Sequence, residues 1–307
     1  MSRLPKMLVS SVIRGAQQGD SHGGLFIVDI ENARADLRLD WNRTDIDTSG
    51  RGGDRGLRGV GFYGEHVVVA ANAAILLLDQ GFECIATFTN RYLGHCHEIS
   101  IHGEHLFVAS TGYDSILVFN LREWRFTHGF HLALDDSALK LRAFDPQDPV
   151  GPSPSRQFHL NTVKATAAGF CISGLRTPGL LHTDGRNVSL LGRLPMGTHN
   201  AQQLDGRLLY NDTASDCIRY HGIEATRVMA VPHFRHEDII NIERLGSDVA
   251  RPGFARGLCV VSHDVIAGGS SPSTISLYEL TGGTRIAMQN ISMDVRNAVH
   301  GLAVWPY

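Results

Sequence analysis

Histidines and arginines recur at one fixed place in an internal repeat of this chain. Four of them lie nine residues before a short apolar segment: Arg58, His97, His199 and Arg256. A fifth copy of the repeat places Asn161 there, or His159 if its register slips by two residues. A sixth copy begins at His300. We call these positions the rim residues, because the fold predicted below gathers them at one rim.

Three rim residues are histidines in alternate copies of the repeat: His97, His199 and His300. A neutral imidazole binds zinc, iron or copper through one ring nitrogen, and three protein ligands leave open positions for water or substrate. The pattern therefore predicts one divalent transition metal, zinc, iron or copper, held by these histidines. Zinc would activate water or polarise a carbonyl, whereas iron or copper could bind oxygen.

The remaining rim residues form the predicted catalytic set. Arg58 and Arg256 carry fixed positive charge, which suits them to hold a carboxylate or to stabilise a developing oxyanion. His159 and Asn161 would orient the metal ligands, act as an acid or base, or supply a fourth ligand. A purely structural alternative is that each of these side chains forms hydrogen bonds only with backbone carbonyls and water.

Short strands joined by tight turns must position these side chains. Residues 57–70 match residues 96–109 without a gap, and both predict a strand, a Gly-Glu-His turn and a second, more apolar strand. Repeats of this kind are typical of propeller blades. The sixth copy holds one strand, so we expect the strand-like segments 7–13 and 25–30 to complete that blade. The prediction is an all-β, six-bladed β-propeller closed by its N-terminal strand.

We expect residues 1–307 to form a single β-propeller domain. Two intervals between copies are long, which predicts loop insertions near 121–157 and 221–255. The first insertion contains four prolines between residues 145 and 154. Proline cannot donate to a strand ladder, so this stretch is predicted to be a surface loop.

Composition narrows the class of protein. The formal net charge is -3, with 43% hydrophobic and 19% charged residues and no apolar run of membrane-spanning length. Lysine and arginine are scattered, which argues against nucleic acid as a partner. Five cysteines without a CxxC pair favour reduced thiols rather than a disulfide framework. We therefore expect a cytoplasmic protein with a small-molecule substrate and with no nucleic-acid or membrane partner.

Three stretches surround rim residues: 157–161 (Gln-Phe-His-Leu-Asn), 197–199 (Gly-Thr-His) ahead of 205–208 (Asp-Gly-Arg-Leu), and 252–258 (Pro-Gly-Phe-Ala-Arg-Gly-Leu). They resemble the signature stretches of an uncharacterised bacterial family of hypothetical β-propeller proteins. The resemblance covers roughly the middle two thirds of the chain. It implies the propeller fold and the rim residues, and it implies no reaction.

The set of histidines and arginines, though not the continuous sequence, also resembles that of peptide-amidating lyase, a six-bladed propeller whose zinc is held by three histidines. By that likeness His97, His199 and His300 would be metal ligands. Arg58 and Arg256 would then contact the substrate or stabilise the transition state. Likeness of fold is a weak warrant for function.

The leading hypothesis is a metal-dependent enzyme that acts on a small anionic molecule by lyase or oxygen-dependent (oxidase or oxygenase) chemistry. One alternative is a propeller that binds an anion or small molecule without chemistry. Another is a protein-interaction scaffold that uses the loops of the propeller. Binding that survives a chelator would favour the first alternative, and a function that tolerates loss of His97 would favour the second.

Overall fold

The structure, a computed structural model, describes residues 4–49, 53–223, 225–243, 246 and 250–307. Within these residues the regular structure consists of β-strands and two short 3-10 turns, Thr213–Ser215 and His236–Asp238. The strands form six antiparallel sheets, five of four strands and one of five. The chain is therefore a six-bladed β-propeller, as the repeat predicts.

The strands follow one another along the chain in blade order. The closing blade contains β1 (Met7–Ile13), β2 (Gly24–Asp29) and β3 (Arg34–Asp40). The first blade contains β4 (Val60–Tyr63), β5 (His66–Ala70), β6 (Ala74–Leu78) and β7 (Cys84–Thr89). The second contains β8 (Cys96–His102), β9 (His105–Ser110), β10 (Ser115–Asn120), β11 (Arg125–Asp135) and β12 (Ala138–Phe144).

The later blades keep the four-strand pattern. The third contains β13 (Leu160–Thr166), β14 (Gly169–Gly174), β15 (Gly179–Thr183) and β16 (Val188–Arg193). The fourth contains β17 (His199–Leu204), β18 (Arg207–Asp212), β19 (Cys217–His221) and β20 (Thr226–Ala230). The fifth contains β21 (Leu258–Ser262), β22 (Val265–Ser270), β23 (Thr274–Glu279) and β24 (Thr284–Asn290), and β25 (Asn297–Val304) completes the closing blade.

The N-terminal strand closes the last blade, as predicted. β1 pairs antiparallel with β25 from Met7, opposite Val304, to Ile13, opposite Asn297. Pairing on both sides of β1 leaves it no open edge, which is the usual hazard of a terminal strand. Ser10, fully buried in β1, accepts a hydrogen bond from the Gly301 N–H at 2.7 Å.

The described chain divides into two compact units, each with its own apolar core. We call residues 1–60 with 203–307 the closure unit and residues 61–202 the middle unit. The closure unit packs Met7, Val28 and Ile275 into one cluster. The middle unit packs Leu106 and Phe119 into another. That residues 1–307 form a single domain stays a prediction.

Four of the described first strands carry one residue more than the strand beside them. The extra residue lies within 97–98 on β8, at Asn161 on β13, at Val261 on β21 and within 300–301 on β25. Such β-bulges twist a strand locally and re-aim its side chains, and they are frequent beside functional sites. The bulges on β8, β13 and β25 contain a rim residue, whereas the bulge on β21 lies five residues after Arg256.

The predicted insertions contain more regular structure than expected. In 121–157, the strands β11 and β12 extend the second blade to five strands, and the loop is confined to 145–157. Leu132 of β11 and Leu141 of β12 are buried, which explains why this stretch forms strands. In 221–255, β20 forms before the loop. Residues 224, 244–245 and 247–249 of this segment lie outside the described residues.

No helix among the described residues is long and apolar enough to cross a membrane.

One buried carboxylate anchors the end of the 145–157 loop. Asp114, fully buried, accepts hydrogen bonds from the Ser155 hydroxyl at 2.9 Å and from the Phe158 and Leu160 N–H groups at 3.1 Å each. Hydrogen bonds to a charged acceptor are about twice as strong as neutral ones. Asp114 therefore sets the position of the segment that leads into β13.

We predict that Asp114→Asn lowers the free energy of unfolding by about 1–3 kcal/mol, since an amide nitrogen would then face a buried donor. Asn tolerates the left-handed backbone of Asp114 (φ 44°), so the change isolates the carboxylate. Urea unfolding measures the effect. Asp136→Asn, on an exposed turn with φ 48°, is the matched control. Equal stabilities of the two variants would contradict the anchoring role.

Candidate functional site

The rim residues lie at or just before the first strand of each blade. Arg58 and Arg256 precede β4 and β21 by two residues, His97 and Asn161 are second in β8 and β13, His199 opens β17, and His300 lies within β25. Arg58, His199, His300 and Asn161 are buried, and Arg256, His97 and His159 are half-buried. The sequence repeat therefore corresponds to a repeat of backbone position.

A left-handed residue stands two positions before four of the rim residues. These residues are Gly56 (φ 68°), His95 (φ 48°), His159 (φ 53°) and Gly197 (φ 86°). The strand register also places Cys96 opposite Ser110 and Leu160 opposite Gly174, so Asn161 is equivalent to His97 and His159 to His95. Non-glycine residues rarely adopt a positive φ, which makes His95 and His159 locally strained.

Hydrogen bonds fix the proton on the His97 ring. Nδ1 lies 2.7 Å from the His95 carbonyl oxygen and 2.8 Å from the Thr111 hydroxyl. A carbonyl can only accept, so Nδ1 must carry the proton. The Thr111 hydroxyl donates to the Leu160 carbonyl, which agrees with its accepting from His97. In the neutral ring the lone pair is therefore on Nε2.

His199 repeats this arrangement. Its Nδ1 donates to the Gly197 carbonyl at 3.1 Å, again two residues back along the chain. The neutral ring therefore also carries its lone pair on Nε2. An imidazole whose Nδ1–H is held by a carbonyl is oriented and made more basic at Nε2, which suits a metal ligand or a general base.

His159 and Asn161 differ in what their side chains contact. The His159 ring lies 5.5 Å from the His97 ring, centroid to centroid, at an interplanar angle of 70°. The Asn161 amide donates to the Thr198 carbonyl at 3.0 Å and accepts from the Thr162 hydroxyl at 2.9 Å. Both ends of this buried amide thus bond to protein, which indicates a positioning role.

In the closure unit, Arg256 contacts His300 directly. Arg256 Nη1 lies 3.0 Å from His300 Nε2. Because a guanidinium only donates, His300 must accept through the Nε2 lone pair. The third rim histidine therefore differs from His97 and His199, since a cation already occupies the nitrogen that a metal would need.

Three guanidinium groups surround the ring of Phe254. Their central carbons lie 4.6 Å (Arg14), 5.3 Å (Arg251) and 5.4 Å (Arg256) from the ring centroid. These are cation–π distances. Arg251 also pairs with Asp216 at 2.5 Å. We call Arg14, Arg251, Arg256 and Phe254, with His300, the arginine cluster.

Both the backbone and the side chain of Arg58 make hydrogen bonds. Its carbonyl accepts a hydrogen bond from the Ser10 hydroxyl, the same hydroxyl that accepts from the Gly301 N–H. A Cβ on Gly301 would lie 2.3 Å from the Arg58 carbonyl oxygen, so this contact requires glycine. The buried Arg58 guanidinium approaches the Gly53 carbonyl at 3.5 Å.

The predicted three-histidine metal site is not shown. Among the residues that the structure describes, no group of three His, Cys, Asp or Glu side chains is placed to hold a metal ion. The tautomers of His97 and His199 fit metal ligation through Nε2. The Arg256 contact opposes it at His300, by occupying the lone pair and by charge repulsion. Metal binding stays a prediction.

The five cysteines are free thiols. Burial raises the pKa of the Cys171 and Cys217 thiols. Cys96, next to His97, is fully buried. Buried thiols of this kind are inert.

Sequence reasoning missed several members of these arrangements. Arg14 follows β1 outside any repeat copy, and Arg251 lies in the second insertion. Phe254 stands inside the 252–258 stretch, which was the available signal for it. His95 and Thr111 were overlooked, although His95 aligns with His159 once the register is known.

No protein-family model matches the chain. No curated protein matches it either. Among solved structures, a chain of the nidogen/laminin complex is similar with a TM-score of 0.60 and 10% identity, over 97% of this chain and 97% of that chain. A protein of unknown function from Bacteroides caccae has a TM-score of 0.58 and 11% identity, over 97% and 98%. AztD from Citrobacter koseri has a TM-score of 0.47 and 10% identity, over 94% and 81%.

At such low identities, the likeness to the first two structures shows the fold alone. The Bacteroides protein agrees with the predicted resemblance to bacterial propellers of unsettled activity, as far as the fold goes. The likeness to peptide-amidating lyase stays a prediction. The comparisons thus support one statement about this chain, that it is a six-bladed β-propeller.

Proposed function

We propose that this propeller binds a small molecule carrying an anionic group, and that the arginine cluster holds that group. The observation that carries the proposal is the gathering of three guanidinium groups around Phe254, within 5.4 Å of its ring centroid. Arginine stays protonated in proteins, so this positive charge persists at any physiological pH.

The charge at the cluster favours a small anion over a neutral ligand. Arg14 is almost fully buried and Arg256 is half-buried, so their charges are screened by water less than surface charges are. Asp216 offsets the charge of Arg251. A carboxylate or phosphate would add charge-assisted hydrogen bonds and would reduce repulsion among the guanidinium groups.

Phe254 and His300 give the cluster its geometry. The ring separates the guanidinium groups while attracting each of them through its π face. His300, which is only 6% exposed, accepts a hydrogen bond from Arg256 and thereby fixes the orientation of that guanidinium. A guanidinium that is already oriented loses less conformational entropy when it binds a planar anion. Arg58, the other arginine predicted to bind substrate, adds positive charge to the same unit.

A second candidate function is metal-dependent catalysis on a small anionic molecule, by lyase or oxygen-dependent chemistry. The shared Nδ1–H···O=C hydrogen bonds of His97 and His199 favour it, since each leaves the lone pair on Nε2. A bound zinc, iron or copper ion would supply Lewis acidity or redox chemistry. His97 and His199 would hold the metal or move a proton at Nε2, and His159 would contact the His97 ring.

Arg256→Gln is predicted to weaken binding of inorganic phosphate or citrate about tenfold to a hundredfold, as expected for loss of a charge-assisted contact worth about 1.5–3 kcal/mol. Isothermal titration calorimetry at low ionic strength measures it. Arg34→Gln, an exposed arginine of the closure unit paired with Asp36, is the matched control and should bind like the parent. Failure of the parent to bind either anion, or equal binding by Arg256→Gln, would refute the anion site.

Elemental analysis of protein prepared without a His tag or added metal tests the second candidate. We expect about one equivalent of zinc, iron or copper in the parent and little in a His97→Ala/His199→Ala double variant. The matched control is His66→Ala/His105→Ala, two histidines that open β5 and β9 in the same unit. A parent that is free of metal and takes up none on addition would rule out metal-dependent catalysis.

A further inference from the structure

A cleft in the middle unit shares no residue with the arginine cluster. Its volume is about 520 Å³, within the usual range of small-molecule sites, about 300–1,000 Å³. Its lining includes Asn72, Leu93, His95, Tyr113, Ser155 and Arg156. The lining thus combines a cation, amide and hydroxyl groups with aromatic and aliphatic surface.

Backbone hydrogen bonds hold the floor of the cleft. The Gly112 N–H donates to the Gly94 carbonyl at 2.7 Å, and the Ser155 N–H donates to the Gly112 carbonyl at 2.9 Å. Tyr113 and Ser155 also form a parallel β-bridge. The Ser155 hydroxyl donates a hydrogen bond to Asp114 at 2.9 Å. The cleft is therefore formed before any ligand arrives, which lowers the entropy cost of binding.

One wall of the cleft is a tyrosine ring. Tyr113 packs edge-on against Tyr92, with centroids 5.7 Å apart at 82°, so the ring is fixed in orientation. A Cβ on Gly94 would lie 3.3 Å from Tyr113 Cε2, so any side chain at Gly94 would cover part of this ring. Glycine thus leaves ring surface available to a ligand.

The charged wall carries a single guanidinium. Arg156, exposed at the end of the 145–157 loop, donates to Nε2 of His95. His95 accepts that bond, which holds the guanidinium in place. One positive charge matches a monoanion such as a carboxylate better than it matches a phosphate dianion.

We propose that this cleft is a second binding site, for a small aromatic monocarboxylate. The carboxylate would pair with Arg156, and the aromatic body would lie against Tyr113 and Leu93. The site goes beyond the proposed function, because it shares no residue with the arginine cluster. It also touches His97 indirectly, since the His95 carbonyl accepts the Nδ1–H of His97.

Three probes separate the parts of the proposal: benzoate carries ring and charge, benzamide carries the ring alone, and acetate carries the charge alone. Saturation-transfer NMR and calorimetry should show benzoate binding to the parent, with benzamide and acetate at least about tenfold weaker. Arg156→Gln should weaken benzoate binding at least about tenfold, because it removes the charged partner. Arg186→Gln, an exposed turn arginine of the same unit, should bind benzoate like the parent.

Two further measurements locate the site. Benzoate should shift the imidazole nitrogen signals of His97, and it should bind Arg256→Gln as tightly as the parent. Absence of benzoate binding at about 10 mM, a weak affinity by any measure, would overturn the proposal. Equal binding by Arg156→Gln would also overturn it. Loss of benzoate binding in Arg256→Gln alone would assign the carboxylate to the arginine cluster and not to the cleft.

Discussion

The placement of three rim residues depends on one feature of strand pairing, an extra residue in the first strand of their blade. Where β8, β13 and β25 carry that residue, the ladder is interrupted at His97, Asn161 and His300. Side chains at a bulge escape the strict alternation of a strand, so they can turn toward groups outside their own sheet. Hydrogen bonds then fix them: His97 bonds to the carbonyl two residues back, Asn161 to Thr198, and His300 to Arg256.

The two units use these positions for different chemistry. In the middle unit, carbonyl groups accept the Nδ1–H of His97 and of His199, so in the neutral form each ring presents a basic nitrogen at Nε2. In the closure unit, guanidinium groups dominate, and His300 serves them as an acceptor. The same place in the repeat therefore supports basic nitrogen in one unit and fixed positive charge in the other. Such divergence is expected of a propeller, in which the sheets supply a rigid frame and single side chains supply the function.

The sequence predicted the fold well, because the ungapped match of 57–70 with 96–109 reflects a register that the structure preserves in β4–β5 and β8–β9. It also located the rim residues, since their distance to the second strand is local. It could not decide between Asn161 and His159. The bulge has no sequence signature, and the left-handed position two residues before a rim residue is filled by His in some copies and by Gly in others. The grouping of Arg14 with Phe254 depends on contacts between distant residues, for which one sequence holds no signal. The fifth strand β12 was predicted as loop because neighbouring prolines outweighed its weak alternation.

Ser10 joins three distant parts of the chain, since its hydroxyl bonds to Arg58 and to Gly301, a partner 291 residues away. During synthesis, at about 5–20 residues per second, roughly 15–60 s separate the emergence of these two ends from the ribosome. For that time β1 can pair with β2 but keeps its other edge open, and an open apolar edge invites pairing with other chains. Vectorial synthesis therefore makes β25 a kinetic bottleneck: the nascent chain has to keep β1 soluble until residues 297–304 are made and can cover it.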